Sequence, residues 1–317
     1  MAYIFQCAED AHREITSIFD FVQPTVIALW NLRWQVQGFL LQVPGASADD
    51  LANRFALGSG LRGGELKRAC IDTPWERQKS EFAEFVLSSV IAAFEDYTAR
   101  LTEIAGGSAS HRKLVSQSLQ FPKKVPGQNP KGFSWAITKL NSPSNNLNSV
   151  FRAACEKNAN YSPTAIDELL VCYRFFKCLR NMVAHNGGRA DQETVSAYNR
   201  FAHVANTRAL GLSEVPQHHP VTLGAPIKLE LRGVIGLSDV VLRIIRTYDT
   251  ELSESVIAES QIEARVKPVS LKRQFAKKGD AERRIVTLIY GSRLPVPHLT
   301  STFIGFLKQK HIVPHFW

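Results

Sequence analysis

The sequence predicts a mainly α-helical protein: a central helical domain, residues 73–215, flanked by an N-terminal module, 1–72, and a small C-terminal α+β module, 221–317. Three observations carry that expectation. Two long segments open with a hydroxyl residue followed by proline, Thr73-Pro74 and Ser162-Pro163, a pair suited to cap a helix and set its first φ. Apolar residues then recur at three- and four-residue steps, which keeps one helical face turned to a core. Both segments stop at paired glycines, Gly106-Gly107 and Gly187-Gly188, which tolerate the left-handed backbone of a helix end.

Residues 1–72 combine a helix-like start, an apolar stretch over 24–43, and two short amphipathic runs, 51–55 and 65–70, around Gly58-Ser59-Gly60. That layout makes a candidate helix-turn-helix, although two short helices about a glycine turn are common for structural reasons alone. Beyond it, Thr73 and Glu76 have the spacing of a capping box, and Phe82, Phe85, Val86, Val90, Ala93, Phe94, Tyr97 and Leu101 predict a helix over 74–104. Pro122, Pro126, Pro130 and Pro143 predict a long basic loop over 105–145. A short helix is expected near 146–158. Ile166, Leu169, Leu170, Tyr173, Phe176 and Val183 predict a helix that runs to His185, with Asn186-Gly187-Gly188 as its stop; another follows over 190–208. Gln217-His218-His219-Pro220 reads as a linker, 227–231 as a strand, 238–248 as a helix, and 284–290 as either.

Charge and cysteine usage narrow the function classes. The formal charge of +9 is concentrated. Between 110 and 160 stand Arg112, Lys113, Lys123, Lys124, Lys131, Lys139, Arg152 and Lys157 against Glu156 alone. A second basic cluster spans 261–284. Concentrated positive charge favours a polyanionic partner, with a solvated basic surface as the plain alternative for the second cluster. Cys7, Cys70, Cys155, Cys172 and Cys178 are odd in number and widely spaced, which argues against a disulfide framework or a zinc site. Asn31, Arg33, Gln35 and Gln37 interrupt the most apolar stretch, so no membrane span is expected, and no secretory leader is read at the start. A cytoplasmic location follows as an expectation.

The segment Arg180-Asn181-Met182-Val183-Ala184-His185 carries the chemistry. On a helix Asn181 and His185 share a face, while Arg180 lies about 140° around from His185 and falls within the apolar stripe of Ile166, Leu169, Tyr173 and Phe176. A charge there must meet a carboxylate, face another subunit or line a wet cleft. A structural ion pair for Arg180, a helix-end cation for His185 and a backbone hydrogen bond for Asn181 are the plain alternatives. Spacing alone is weak evidence, since Arg293-Leu294-Pro295-Val296-Pro297-His298 repeats it where two prolines forbid a helix.

Residues 173–188, with Arg180 and His185 at their end, resemble the signature helix of HEPN domains, whose motif is Arg, a polar residue, further residues and His (R-x4-6-H). The segment from Ser80 to Tyr97 resembles the long first helix of that family, particularly in members from bacterial defence and toxin systems. Similarity covers about 74–208. Gly187 stands where some HEPN toxins carry a tyrosine, a departure from the toxin–antitoxin subfamily. The resemblance implies an HEPN-like bundle and a homodimer whose two motifs meet in one composite site that cleaves RNA without a metal or other cofactor. In that site Arg180 would hold the scissile phosphate, His185 would transfer protons and Asn181 would orient the pair, while Lys123, Lys124 and Lys131 guide the RNA. A role in phage defence or stress response and a regulatory protein partner are further implications. The rivals are a non-catalytic nucleic-acid-binding protein and an HEPN fold kept as a dimerisation scaffold.

Overall fold

The computed structural model describes residues 2–60, 64–125, 128–185, 187–205, 210–271 and 278–314, with backbone alone for 123–125 and 128–130. Its helices are α1 (Gln6–Gln42), α2 (Ala48–Phe55), α3 (Trp75–Ala105), α4 (Ala109–Gln120), α5 (Phe133–Leu140), α6 (Arg152–Glu156), α7 (Ile166–His185), α8 (Gln192–Val204), α9 (Leu231–Glu251), α10 (Val256–Val266), α11 (Lys278–Gly291) and α12 (Ser301–Gln309). A π-helical turn, Arg68–Asp72, precedes α3, and one antiparallel hairpin pairs β1 (Lys123–Val125) with β2 (Gln128–Lys131). The mainly helical class is therefore observed.

Helices α3, α7 and α9 pack on one another, with α1, α4 and α8 against them. Phe94 of α3 meets Tyr173 of α7 edge-on, ring centroids 4.8 Å apart, and lies 6.4 Å from Tyr248 of α9. Offset and edge-to-face aromatic contacts of this kind add to the burial energy of large rings. Buried apolar side chains from Tyr3 to Val313 belong to one cluster, so all three segments read from the sequence contribute to the same core. A satellite of Val36, Leu51 and Cys70 joins α2 and the π-turn to the far half of α1. The candidate helix-turn-helix thus turns Leu51 and Cys70 inward onto α1.

Helix α1 runs unbroken through Pro24. By length and composition it is apolar enough to cross a membrane, and 17% of its most apolar window is buried. Arg33, one of the polar residues that interrupt it, donates to the carbonyls of Ala69 and Thr73 at 2.9 Å and to Gln78 Oε1 at 2.8 Å. That charge serves packing.

Several expectations require correction. The expected capping box at Thr73 is not made: Pro74 occupies the N-cap without a side-chain bond, and the Thr73 carbonyl accepts from Arg33. The expected loop over 105–145 holds α4, the hairpin and α5, with Pro122 and Pro143 falling between elements rather than inside them. Ser108 caps α4 through the His111 amide, and Val115 and Leu119 anchor it to the core. The C-terminal α+β expectation fails too, for no strand occurs among the described residues of 221–317. Residues 227–230 lead directly into α9, and 284–290 lies within the helix α11. Nor is the 217–220 stretch a free linker. A Cβ on Gly233 would come within 2.0 Å of the Gln217 carbonyl oxygen, and one on Gly236 within 2.5 Å of the Pro216 nitrogen. The connector lies flat on α9, and only glycine permits that approach.

Candidate functional site

Helix α7 begins after a 3-10 turn, Pro163–Ala165, and buries Ile166, Leu169, Tyr173 and Phe176 in the core. Those four side chains are spent inside one chain. Arg180 continues the stripe and meets a carboxylate on α3: its Nη2 donates to both oxygens of Glu95 at 3.1 Å. Lys177, one turn earlier, places Nζ 2.6 Å from Glu95 Oε1 and donates at 2.5 Å to Gln120 Oε1 of α4. One carboxylate thus fixes two cations.

The pair stands at the rim of the core, with the Arg180 side chain 24% and that of Glu95 35% exposed. Two polar atoms beneath it, Arg180 Nε and the Tyr173 hydroxyl, are buried without a hydrogen-bond partner. Burial, reinforced by the negative charge of Glu95 and opposed by Arg180, pushes the Tyr173 hydroxyl far above its ordinary pKa, so it stays neutral.

His185 ends the helix in the open, and Asn181 is half-buried. Among the described residues no hydrogen bond or ion pair engages either side chain. The stop is the one read from sequence: Gly187 and Gly188 take φ of +61° and +70°, and the Gly188 amide returns to the Met182 carbonyl at 3.1 Å. Asn186 lies outside the described residues. The Gly188 carbonyl then accepts from the Ile227 amide at 2.7 Å, which ties the motif's end to the connector beneath α9.

A row of cations leads to this end. Arg174 lies 5.0 Å and Lys177 5.2 Å from the Phe121 ring, and Arg174 also reaches Glu193 of α8 at 3.1 Å. Phe121 caps α4 immediately before the hairpin, so the root of the basic hairpin sits against α7. In the hairpin Lys123 pairs with Lys131, whose Nζ lies 4.9 Å from the Trp135 ring. The side chains of Lys123 and Lys124 lie outside the described residues. Elsewhere in the two basic clusters Arg152 is held by Glu156 and Glu251, and Arg265 by Glu9, with 272–277 outside the described residues.

Glu95 was missed in the sequence, though its place one position after the buried Phe94, on the helix read as amphipathic, offered a signal. Among the described residues no three His, Cys, Asp or Glu side chains converge as metal ligands. No protein-family model matches this chain, and no curated protein or solved structure is significantly similar to it.

Proposed function

We propose that this chain is an endoribonuclease of HEPN type that works without a metal as a homodimer, its composite site formed where the exposed ends of two α7 helices meet. The carrying observation is that Arg180 and His185 close one intact helix, with Arg180 held at a wet rim by Glu95 and His185 open to solvent. Arg180 contacts a scissile phosphate through the donors left beside Glu95 and stabilises its gathering charge. His185 takes the proton of the RNA 2′-hydroxyl as that oxygen attacks phosphorus; its counterpart on the partner subunit protonates the departing 5′-oxygen. The products are a cyclic phosphate and a 5′-hydroxyl end. The cation row of Arg174 and Lys177 and the hairpin with Lys131 supply the approach surface. Phage defence or stress response as the setting rests on family resemblance alone.

One observation favours a second reading. Glu95 already meets Arg180, as a purely structural arginine would require, and then the basic surface binds nucleic acid without cutting it. RNA cleavage by the purified chain, lost in His185→Ala with binding retained, supports the first reading; intact RNA on tight, salt-sensitive binding supports the second.

A further inference from the structure

Helix α1 is apolar on two faces, and the chain covers one of them. From Phe21 to Gln42 the only charged side chain is Arg33, and its guanidinium is turned onto the carbonyls of Ala69 and Thr73 and onto Gln78. Val36 packs nearby with Leu51 and Cys70. About 150° around the helix from Val36, the side chains of Ile27, Trp30, Trp34 and Leu41 fall within an arc of about 60°. They are 62%, 40%, 57% and 73% exposed. Trp30 meets Trp34 edge-on at 5.7 Å and Trp75 of α3 at 5.0 Å, so ring contacts brace the centre of the ridge.

An exposed helix face ordinarily carries charge, and a helix apolar along two opposite faces packs against a partner on each. The ridge offers roughly 500 Å² of apolar side-chain surface, the size of patch that marks an interaction site on a monomer. With the exposed Gln23 and Gln37 that complete the row, it approaches the ~800 Å² per partner that a stable complex buries.

Three features choose the partner. The steps from Ile27 through Trp30 and Trp34 to Leu41 are those of the a and d positions of paired helices, with Gln37 at the remaining d position. An identical ridge brings no like charge against it, because none stands on this row. A bilayer fits less well: a spanning helix presents an apolar circumference, whereas one side of α1 holds Arg33 in hydrogen bonds. A helix lying on a membrane carries Lys or Arg beside its apolar face, and over 21–42 α1 has only the inward Arg33.

We propose that two copies of this chain pair through the α1 ridge about a two-fold axis, with Trp30 and Trp34 as the anchors and Gln37 as the polar member of the contact. This contact is drawn from α1 alone and stands whether or not the ribonuclease reading does.

Sedimentation velocity of the full chain at micromolar concentrations tests it. Reversible self-association of the wild type is expected. Trp34→Glu and Leu41→Glu each place a charge in the apolar contact and are each expected to weaken association at least about tenfold, a loss of roughly 1.4 kcal/mol. Both side chains face solvent, so the circular dichroism is expected to stay unchanged. Leu57→Glu, at a position also exposed but beyond α2, is expected to leave association as in the wild type. A wild type that stays monomeric, or association that both ridge variants retain, would overturn the proposal. The second result would put the contact between copies elsewhere, such as the end of α7, and leave the ribonuclease reading intact. A monomer that floats with phosphatidylcholine vesicles, and ceases to do so in Trp34→Glu, would overturn it in favour of a bilayer.

Discussion

Arg180 and Arg246 both stand on inward faces of long core helices, and the chain treats them differently. Arg180 reaches the rim, where one carboxylate accepts it through both oxygens and a neighbouring lysine shares the charge. Arg246 is closed in, its partner carboxylate spent on the start of α1, two of its nitrogens unmet. A buried cation can thus be resolved by moving its head to water and a partner, or be held against an aromatic ring and a shared carboxylate deep in the core. The first arrangement leaves donors free at a surface. The second keeps its charge sealed in the core.

Truncation separates the two most sharply. Arg246→Ala strands Asp249 in the core and is expected to cost about 3–5 kcal/mol in urea unfolding. Arg180→Ala is expected to cost only about 1 kcal/mol, because Lys177 still neutralises Glu95 and the site is partly wet. Equal losses for the two would erase the distinction. For activity the order reverses: Arg180→Ala and His185→Ala are each expected to lower RNA cleavage by about 10²–10⁴-fold, while Arg246→Ala, at temperatures where it is folded, leaves it near wild type.

Acidity probes the Arg246 side alone. Burial raises the Asp249 carboxyl to about 6, against the opposing pull of Arg246 and of the Phe5 and Ile4 amides. The folded chain therefore binds that proton more readily than the unfolded chain, whose aspartate titrates near ~3.9. Its contribution to stability is greatest below the unfolded value and declines as pH rises toward 6. Asp249→Asn is expected to remove that decline from the stability profile between those limits, and a profile identical to wild type would show the carboxyl to be ordinary.

The smallest expected effect belongs to the hairpin. Neutralising Lys123, Lys124 and Lys131 together is expected to weaken RNA binding and to lower the salt slope by about 0.7 per lost phosphate contact, leaving circular dichroism unchanged. An unchanged slope would make the hairpin an ordinary basic surface.

Much of the framework was legible because it is written locally. The helix from 166 to His185 follows from apolar spacing, and its stop from the two glycines that adopt positive φ. Readings failed where tertiary packing overrode a local cue. Prolines at 122 and 143 punctuate rather than forbid the elements of 105–145, and the apolar, β-like stretch at 227–231 yields to a helix that begins at Leu231 once Gly233 and Gly236 admit the connector. The position of Arg180 on an apolar stripe was visible, and so was the requirement for a partner. That this partner is Glu95, some 85 residues earlier, depends on how α3 and α7 cross. No reading of Arg246 was made from sequence; in the fold Asp249, three residues on, holds the start of α1.

Incubation of the wild-type chain with single-stranded RNA in excess EDTA, followed by identification of both new ends, measures the proposed chemistry most directly. Cleavage that persists, leaves a cyclic phosphate and a 5′-hydroxyl, and disappears in His185→Ala is the expected result. Cleavage that stops with chelator, or that His185→Ala retains, would contradict a metal-independent site built on Arg180 and His185.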